Sequence, residues 1–79
     1  MPVKIFLAVS TSYGKVNEVQ KKLKEIDEVV LSCSVSNGQY DVVAMVEVRS
    51  LDDYRSISID KVSSIQNITD YTSFIIMEE

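Results

Sequence analysis

The feature that most constrains the fold is the Asn37-Gly38 pair near the middle of the chain, with apolar β-type runs on both sides. Asparagine and glycine both tolerate positive φ, so this pair is the strongest short-range signal for a β-hairpin. It predicts that the run before it (29–35) and the run after it (40–48) are antiparallel neighbours. It also places Tyr40 and Asp41 beside the turn, within reach of a small ligand.

The spacing of apolar residues predicts the other elements. Alternation predicts strands at 3–9 and 68–77, and spacing of three to four residues predicts helices at 15–26 and from Ser50 to Gln66-Asn67. Ser50 is a typical N-cap, and Asn67 can end the second helix in the left-handed region. The buried stripe of the second helix is expected to comprise Leu51, Tyr54, Ile59 (or Ser58), Val62 and Ile65.

This element order predicts an α+β fold of the ferredoxin-like βαββαβ type, a four-stranded antiparallel sheet with both helices on one face. Residues 1–79 are expected to form a single domain, because no segment remains for a linker. The other sheet face has no cover within the chain but carries apolar residues on several strands. We therefore expect a homodimer that forms through this open face.

The charge of the chain argues against two classes of partner. Net charge is −4, and the lysines at 21, 22 and 24 lie among acidic residues, so they indicate a solvated helix face. Phosphate recognition needs clustered, uncompensated basic residues, so no direct nucleic acid binding is expected. No segment has the length of apolar sequence that a membrane span needs, and residues 1–4 lack a signal-peptide pattern. We expect a cytoplasmic protein with no membrane partner.

The residue types also limit the chemistry. The chain has no histidine and a single cysteine, Cys33, so the usual zinc and haem sites have no ligands and no cofactor is expected. Cys33 lies in an alternating apolar run and is expected to be a small core residue. Neither Cys33 nor the serines have a visible activating base, so no catalytic residue is assigned and the chain is not expected to be an enzyme.

Several motifs along the chain form a pattern. The sharpest is Gly38-x-Tyr40-Asp41 followed by an apolar strand. The others are Gly14-Lys15, Leu23-x-x-Ile26-x-x-Val29, Leu51 at the start of the second helix, and Ile65-x-x-Ile68-x-x-x-Thr72. With these motifs the chain resembles, over essentially its whole length, the effector-sensing (RAM) domain of the Lrp/AsnC feast/famine regulators.

The pattern departs from the family in two places. No helix-turn-helix precedes the domain, so the chain is expected to be a stand-alone sensor that does not bind an operator directly. Gln66-Asn67 stands where the family often has Pro-Gly, which affects the local turn and leaves the expected fold unchanged.

The resemblance implies a site and an assembly. Such domains dimerise through their open sheet faces, often assemble further into octamers, and bind free amino acids between dimers near the turn. The implied ligand-binding residues are Gly38, Gln39, Tyr40, Asp41 and Thr72. Gly38 would give access to backbone N–H groups, and Asp41 would accept hydrogen bonds from the ligand ammonium. Tyr40 would form part of the wall, and Thr72 would add a hydroxyl.

The predicted function is an oligomeric sensor of a free amino acid that acts indirectly on transcription regulation or amino-acid metabolism. Three alternatives stay open at this point. One is an ACT-type amino-acid domain, which shares the element order. Another is a small dimeric α/β-barrel enzyme of the monooxygenase-like kind, which needs a cavity inside each protomer. The third is a structural partner that co-assembles with full-length Lrp/AsnC regulators.

Overall fold

The computed structural model describes residues 2–77, so the ends of the expected 1–79 domain lie outside the described residues. The elements follow the predicted order. They are β1 (Val3–Thr11), α1 (Val16–Lys24), β2 (Val29–Ser34), β3 (Val42–Val48), α2 (Leu51–Ile57), a π-helical turn (Ser58–Val62) and β4 (Ile68–Ile76). Among the described residues, no helix is long and apolar enough to cross a membrane.

The four strands form one antiparallel sheet in the order β2-β3-β1-β4, which confirms the ferredoxin-like prediction. Leu7 in β1 lies opposite Ala44 in β3 and Ser73 in β4, and this register sets which side chains share a face. The face that carries Leu7 is buried under the two helices and is called the helix face below. The opposite one is called the open face.

The core lies between the helix face and the helices. From the predicted apolar stripe of the first helical segment, the core contains Val19, Leu23 and Ile26, and all three are buried. The sheet contributes residues two apart in sequence, as a half-buried strand requires: Ile5, Leu7 and Val9 from β1, and Val42, Ala44, Val46 and Val48 from β3. Burial of these residues is the main contribution to the stability of the fold.

The second helix starts as predicted, but the prediction of which of its residues are buried was partly wrong. The Ser50 hydroxyl accepts a hydrogen bond from the Asp53 N–H at 3.2 Å, which confirms the cap. The α-helix then changes to a π-helical turn, in which the Ser63 N–H donates to the Ser58 carbonyl. This wider turn places Ile57 and Val62 on the core side. Ile59 is 65% exposed and Leu51 is 46% exposed, so neither belongs to the buried stripe that the sequence predicted.

The helical segment ends as predicted near Asn67, which has a φ of 74°. Within residues 2–77, it is the only non-glycine residue with positive φ. Its carbonyl accepts a hydrogen bond from the Ser12 N–H at 2.8 Å. The left-handed asparagine thus turns the chain into β4 next to the end of β1.

The alternation expected along β2 is interrupted by a register shift between Val29 and Leu31. Val29 pairs with Val46 on the helix face, whereas Leu31 pairs with Met45 on the open face. The expectation that Cys33 is a core residue was therefore wrong. The irregularity moves Cys33 to the open face, where it is half-buried.

The open face carries a set of apolar side chains that the helices do not cover. It includes Phe6, Leu31, Met45, Phe74 and Ile76, of which Leu31, Phe74 and Ile76 are exposed. The rings of Phe6 and Phe74 are neighbours, with centroids 6.1 Å apart. This apolar surface is the feature from which the sequence predicted a partner.

Candidate functional site

The connection between β2 and β3 is longer than a two-residue hairpin. The two strands are antiparallel neighbours as predicted, but residues 35–41 join them, so Tyr40 precedes β3. Gly38 has a φ of 86°, whereas Asn37 is not in the left-handed region. The Asn37 Oδ1 instead accepts hydrogen bonds from the N–H groups of Gln39 at 2.9 Å and Tyr40 at 2.7 Å. This side-chain turn replaces the expected pair of positive φ angles.

The same geometry changes the role expected of Gly38. A Cβ at this position would meet no atom within 4 Å, so glycine is required for its φ and not for close packing. Asn37 occupies two of the N–H groups that the turn was expected to offer to a ligand.

Tyr40 links the turn to the far edge of the sheet. Its hydroxyl lies 3.2 Å from the Thr72 Oγ1 in β4 and accepts a hydrogen bond from the Gln39 Nε2 at 3.4 Å. The Ser10 Oγ donates to the Gln39 carbonyl at 2.7 Å. The structure therefore brings Gln39, Tyr40 and Thr72 together at one end of the open face.

Asp41 extends the pairing of β1 with β3. Its N–H donates to the Val9 carbonyl at 2.8 Å, and its Oδ2 accepts from the Thr11 N–H at 2.8 Å and from the Thr11 Oγ1 at 3.3 Å. The carboxylate supplies the acceptor that a longer β3 would have offered from its backbone. Within residues 2–77, both of the side-chain hydrogen bonds that Asp41 receives end at Oδ2.

The five residues predicted from the sequence thus lie at one end of the sheet, and the structure adds Ser10, Thr11 and Asn37 to them. Asn37 could have been recognised, because an asparagine side chain commonly accepts from backbone N–H groups that follow it in a turn. Ser10 and Thr11 gave no signal beyond being polar residues at the end of a strand. The cluster combines a carboxylate, a primary amide and several hydroxyls, which are groups that can hydrogen-bond a small polar ligand.

A concave surface lies at the opposite end of the sheet from these residues. It is an open groove of about 870 Å³ with Val48 and Ile57 in its lining, together with Glu28, Arg49 and Asp53. The lining contains no histidine or cysteine. Among residues 2–77, no three potential metal ligands of the His, Cys, Asp or Glu type lie together.

Comparison with known proteins now decides the family. The sequence model of one protein family, the Lrp/AsnC ligand binding domain, matches residues 4–79 of this chain. The chain belongs to this family. The match includes the turn and the Gly38-x-Tyr40-Asp41 motif, so the candidate site lies within the family's ligand-binding domain.

The relatives extend this result. The chain is 34% identical over 62 residues to an uncharacterised HTH-type transcriptional regulator of Pyrococcus furiosus; the match covers 78% of this chain and 41% of the regulator. The Lrp/AsnC domain thus spans less than half the length of that relative.

Two solved structures have a similar fold. A hypothetical protein of Pyrococcus horikoshii superimposes with a TM-score of 0.86 at 30% identity, covering 98% of this chain and 92% of the other. A transcriptional regulator of Neisseria meningitidis, solved as a complex with L-methionine, superimposes with a TM-score of 0.84 at 16% identity, covering 98% of this chain and 51% of the other.

Proposed function

We propose that this Lrp/AsnC domain binds a free amino acid beside the turn at residues 37–39, as part of an oligomeric sensor that acts indirectly on transcription regulation or amino-acid metabolism. The observation that carries the proposal is the convergence of Gln39, Tyr40, Asp41 and Thr72 at one end of the sheet, in a member of a ligand-binding family. The L-methionine bound to the Neisseria meningitidis regulator supports an amino acid as the ligand class.

The contacts suggest how a zwitterion would be held. The two bonds from Thr11 fix the Asp41 carboxylate, so it can accept from an ammonium group without first becoming ordered. Gly38 contributes a backbone with no side chain in the way, and the two hydrogen bonds to the Asn37 side chain come from Gln39 and Tyr40, not from Gly38. Gln39, Tyr40 and Thr72 would contact the rest of the ligand.

The proposal includes a homodimer that forms through the open face and that assembles further, with the ligand between dimers. The apolar side chains of this face, exposed Leu31 and Phe74 among them, support it. Obligate homodimer interfaces bury about 2,000 Å² or more. Phe74→Lys places a charge on this face, and we expect the folded variant to lose the dimer contact and to have a lower mass in solution. A dimeric mass for the folded variant would contradict an interface through this face.

A thermal-shift screen tests the amino acid. The purified protein is heated with each of the twenty amino acids, and its melting temperature is recorded. Its mass in solution is measured separately. A ligand that binds only the folded state raises the stability by about 2.7 kcal/mol at a hundred times its Kd. We expect one chemically related group of amino acids to raise the melting temperature. No shift with any of them at millimolar concentration would contradict the proposal.

Calorimetry with Asp41→Asn then tests the site. The asparagine keeps an oxygen that can accept from Thr11 but loses the charge opposite the ammonium, and we expect about 1.5–3 kcal/mol weaker binding. Thr11→Val is the matched control, because it removes the longer contact to Asp41 and keeps the charge. Unchanged affinity in a folded Asp41→Asn variant would remove Asp41 from the site. A ligand found inside one protomer would favour the enzyme alternative.

A further inference from the structure

Ala8 is buried on the open face, which was expected to have no cover within the chain. It lies on the open face of β1, opposite Val43 in β3 and Thr72 in β4, yet it is only 3% exposed. The helices lie on the other face of the sheet. Phe6, two residues earlier on the same face, is only half-buried. The cover over Ala8 is therefore local, and the expectation that no part of the chain covers this face was wrong at this position.

The hydrogen bonds identify the cover. Tyr40 precedes β3, while its hydroxyl reaches Thr72 in β4 at 3.2 Å. Since β1 lies between β3 and β4, the tyrosine side chain must cross β1, and Thr72 is the residue directly opposite Ala8. Ser10 lies two residues after Ala8 and on the same face, and its hydroxyl donates a hydrogen bond to the Gln39 carbonyl at 2.7 Å. Gln39 and Tyr40 together are called the strap below.

We propose that Ala8 is a positioning residue, whose small side chain lets the strap lie across β1 and fix the conformation of the turn. A larger side chain at position 8 would occupy the space under the Tyr40 ring and move the hydroxyl away from Thr72. The turn would then lose its contact with β4 and keep the contacts made by Asn37, Ser10 and Asp41, and it would become more mobile.

The strap also joins two surfaces. Tyr40 belongs to the turn beside which the amino acid is proposed to bind, and it lies on the face that is proposed to form the dimer. One side chain is thus in contact with the ligand region and with the partner region at once. This consequence rests on the proposed function, whereas the role of Ala8 can be tested without ligand.

Amide hydrogen exchange, measured by NMR without any amino acid, tests the positioning role. The N–H groups of Gln39 and Tyr40 report on the turn because both donate to Asn37. We expect Ala8→Val to increase their exchange rates about fivefold, the factor that corresponds to one neutral hydrogen bond. Thr72→Val, which removes the hydroxyl partner of Tyr40, should give the same increase.

Two matched variants and one combination separate positioning from general loosening. Ala8→Ser nearly keeps the size of the side chain, and Cys33→Val changes a half-buried residue elsewhere on the same face, so neither should alter exchange at the turn. If Ala8 acts through the strap, Ala8→Val should add nothing in the Thr72→Val background, because the contact is already lost. If Ala8→Val does not fold, Ala8→Thr takes its place.

The outcomes divide clearly. Faster exchange confined to the turn in Ala8→Val, and no further increase in the double variant, supports the proposal. Unchanged exchange at Gln39 and Tyr40, or additive effects in the double variant, overturns it. Because no ligand is present, a failed amino-acid screen would count against the proposed function alone and would leave this result intact.

Discussion

Removal of the Asp41 side chain is the most informative perturbation of stability. In Asp41→Ala the Thr11 N–H loses its acceptor at 2.8 Å and the Thr11 hydroxyl loses a longer contact at 3.3 Å. Both groups are partly buried at the end of β1, where its register with β4 also shifts. No other strand residue replaces the carboxylate there, because β3 begins at Val42.

The magnitude follows from the type of bond. A hydrogen bond to a charged group contributes about 1.5–3 kcal/mol, and leaving a buried donor unpaired costs about 1–3 kcal/mol. Because the site is only partly buried, we expect Asp41→Ala to lower the free energy of unfolding by about 2 kcal/mol. In a domain of this size that corresponds to a melting temperature roughly 10 °C lower. Asp41→Asn keeps an acceptor and should lose about half as much.

Urea denaturation at a fixed protein concentration measures the effect, since the stability of an oligomer depends on concentration. Thr11→Val is again the control, and its loss should stay below about 0.5 kcal/mol because the hydroxyl contact is long. A loss below about 0.5 kcal/mol in Asp41→Ala would refute the reasoning, because it would mean that water satisfies the Thr11 N–H as well as the carboxylate does.

Three further predictions concern the scaffold. Leu23 is fully buried, so Leu23→Ala should cost about 2–5 kcal/mol of unfolding free energy by denaturant titration; a smaller loss would show that the core can collapse around the site. Ser50→Ala removes the cap that receives the Asp53 N–H and should cost about 1 kcal/mol; no loss would mean that the cap is replaced by water. Burial raises the pKa of Tyr54 above its usual 10.0, against the lowering effect of its hydrogen bond to Ser73. The stability from neutral Tyr54 is therefore complete below pH 10 and lost as the pH rises through the higher folded-state pKa, so Tyr54→Phe should weaken this alkaline loss; an unchanged pH profile would contradict that assignment.

The core could be predicted from the sequence because its signals are local. Val19, Leu23 and Ile26 recur at the helical period, and the β1 residues alternate, so each segment shows its buried face within a few residues. The prediction failed where one extra residue changes the phase. The π-helical turn after Ile57 and the irregularity at Val30 both do this, and neither leaves a compositional mark.

The candidate site was predictable only in part. The Asn-Gly pair and the motif after it located the turn, but the bonds that shape it join residues far apart in the chain. Ser10 with Gln39, Asp41 with Thr11, and Tyr40 with Thr72 are separated by 29, 30 and 32 residues. Such contacts depend on the register of β1 with both of its neighbours, and periodicity predicts which strands exist but not how they are aligned.

These long-range bonds give the motif a physical meaning beyond a match of letters. Asp41 ties the start of β3 to the end of β1, and Tyr40 crosses β1 to β4, so the two residues connect three strands of the sheet. Gly38 supplies the φ that turns the chain toward these anchors. A segment held in this way has little conformational entropy left to lose, which favours recognition of a small ligand by a short exposed turn. The affinity of the proposed site for its ligand would then depend on Ala8 and Thr11, although neither residue needs to contact the ligand.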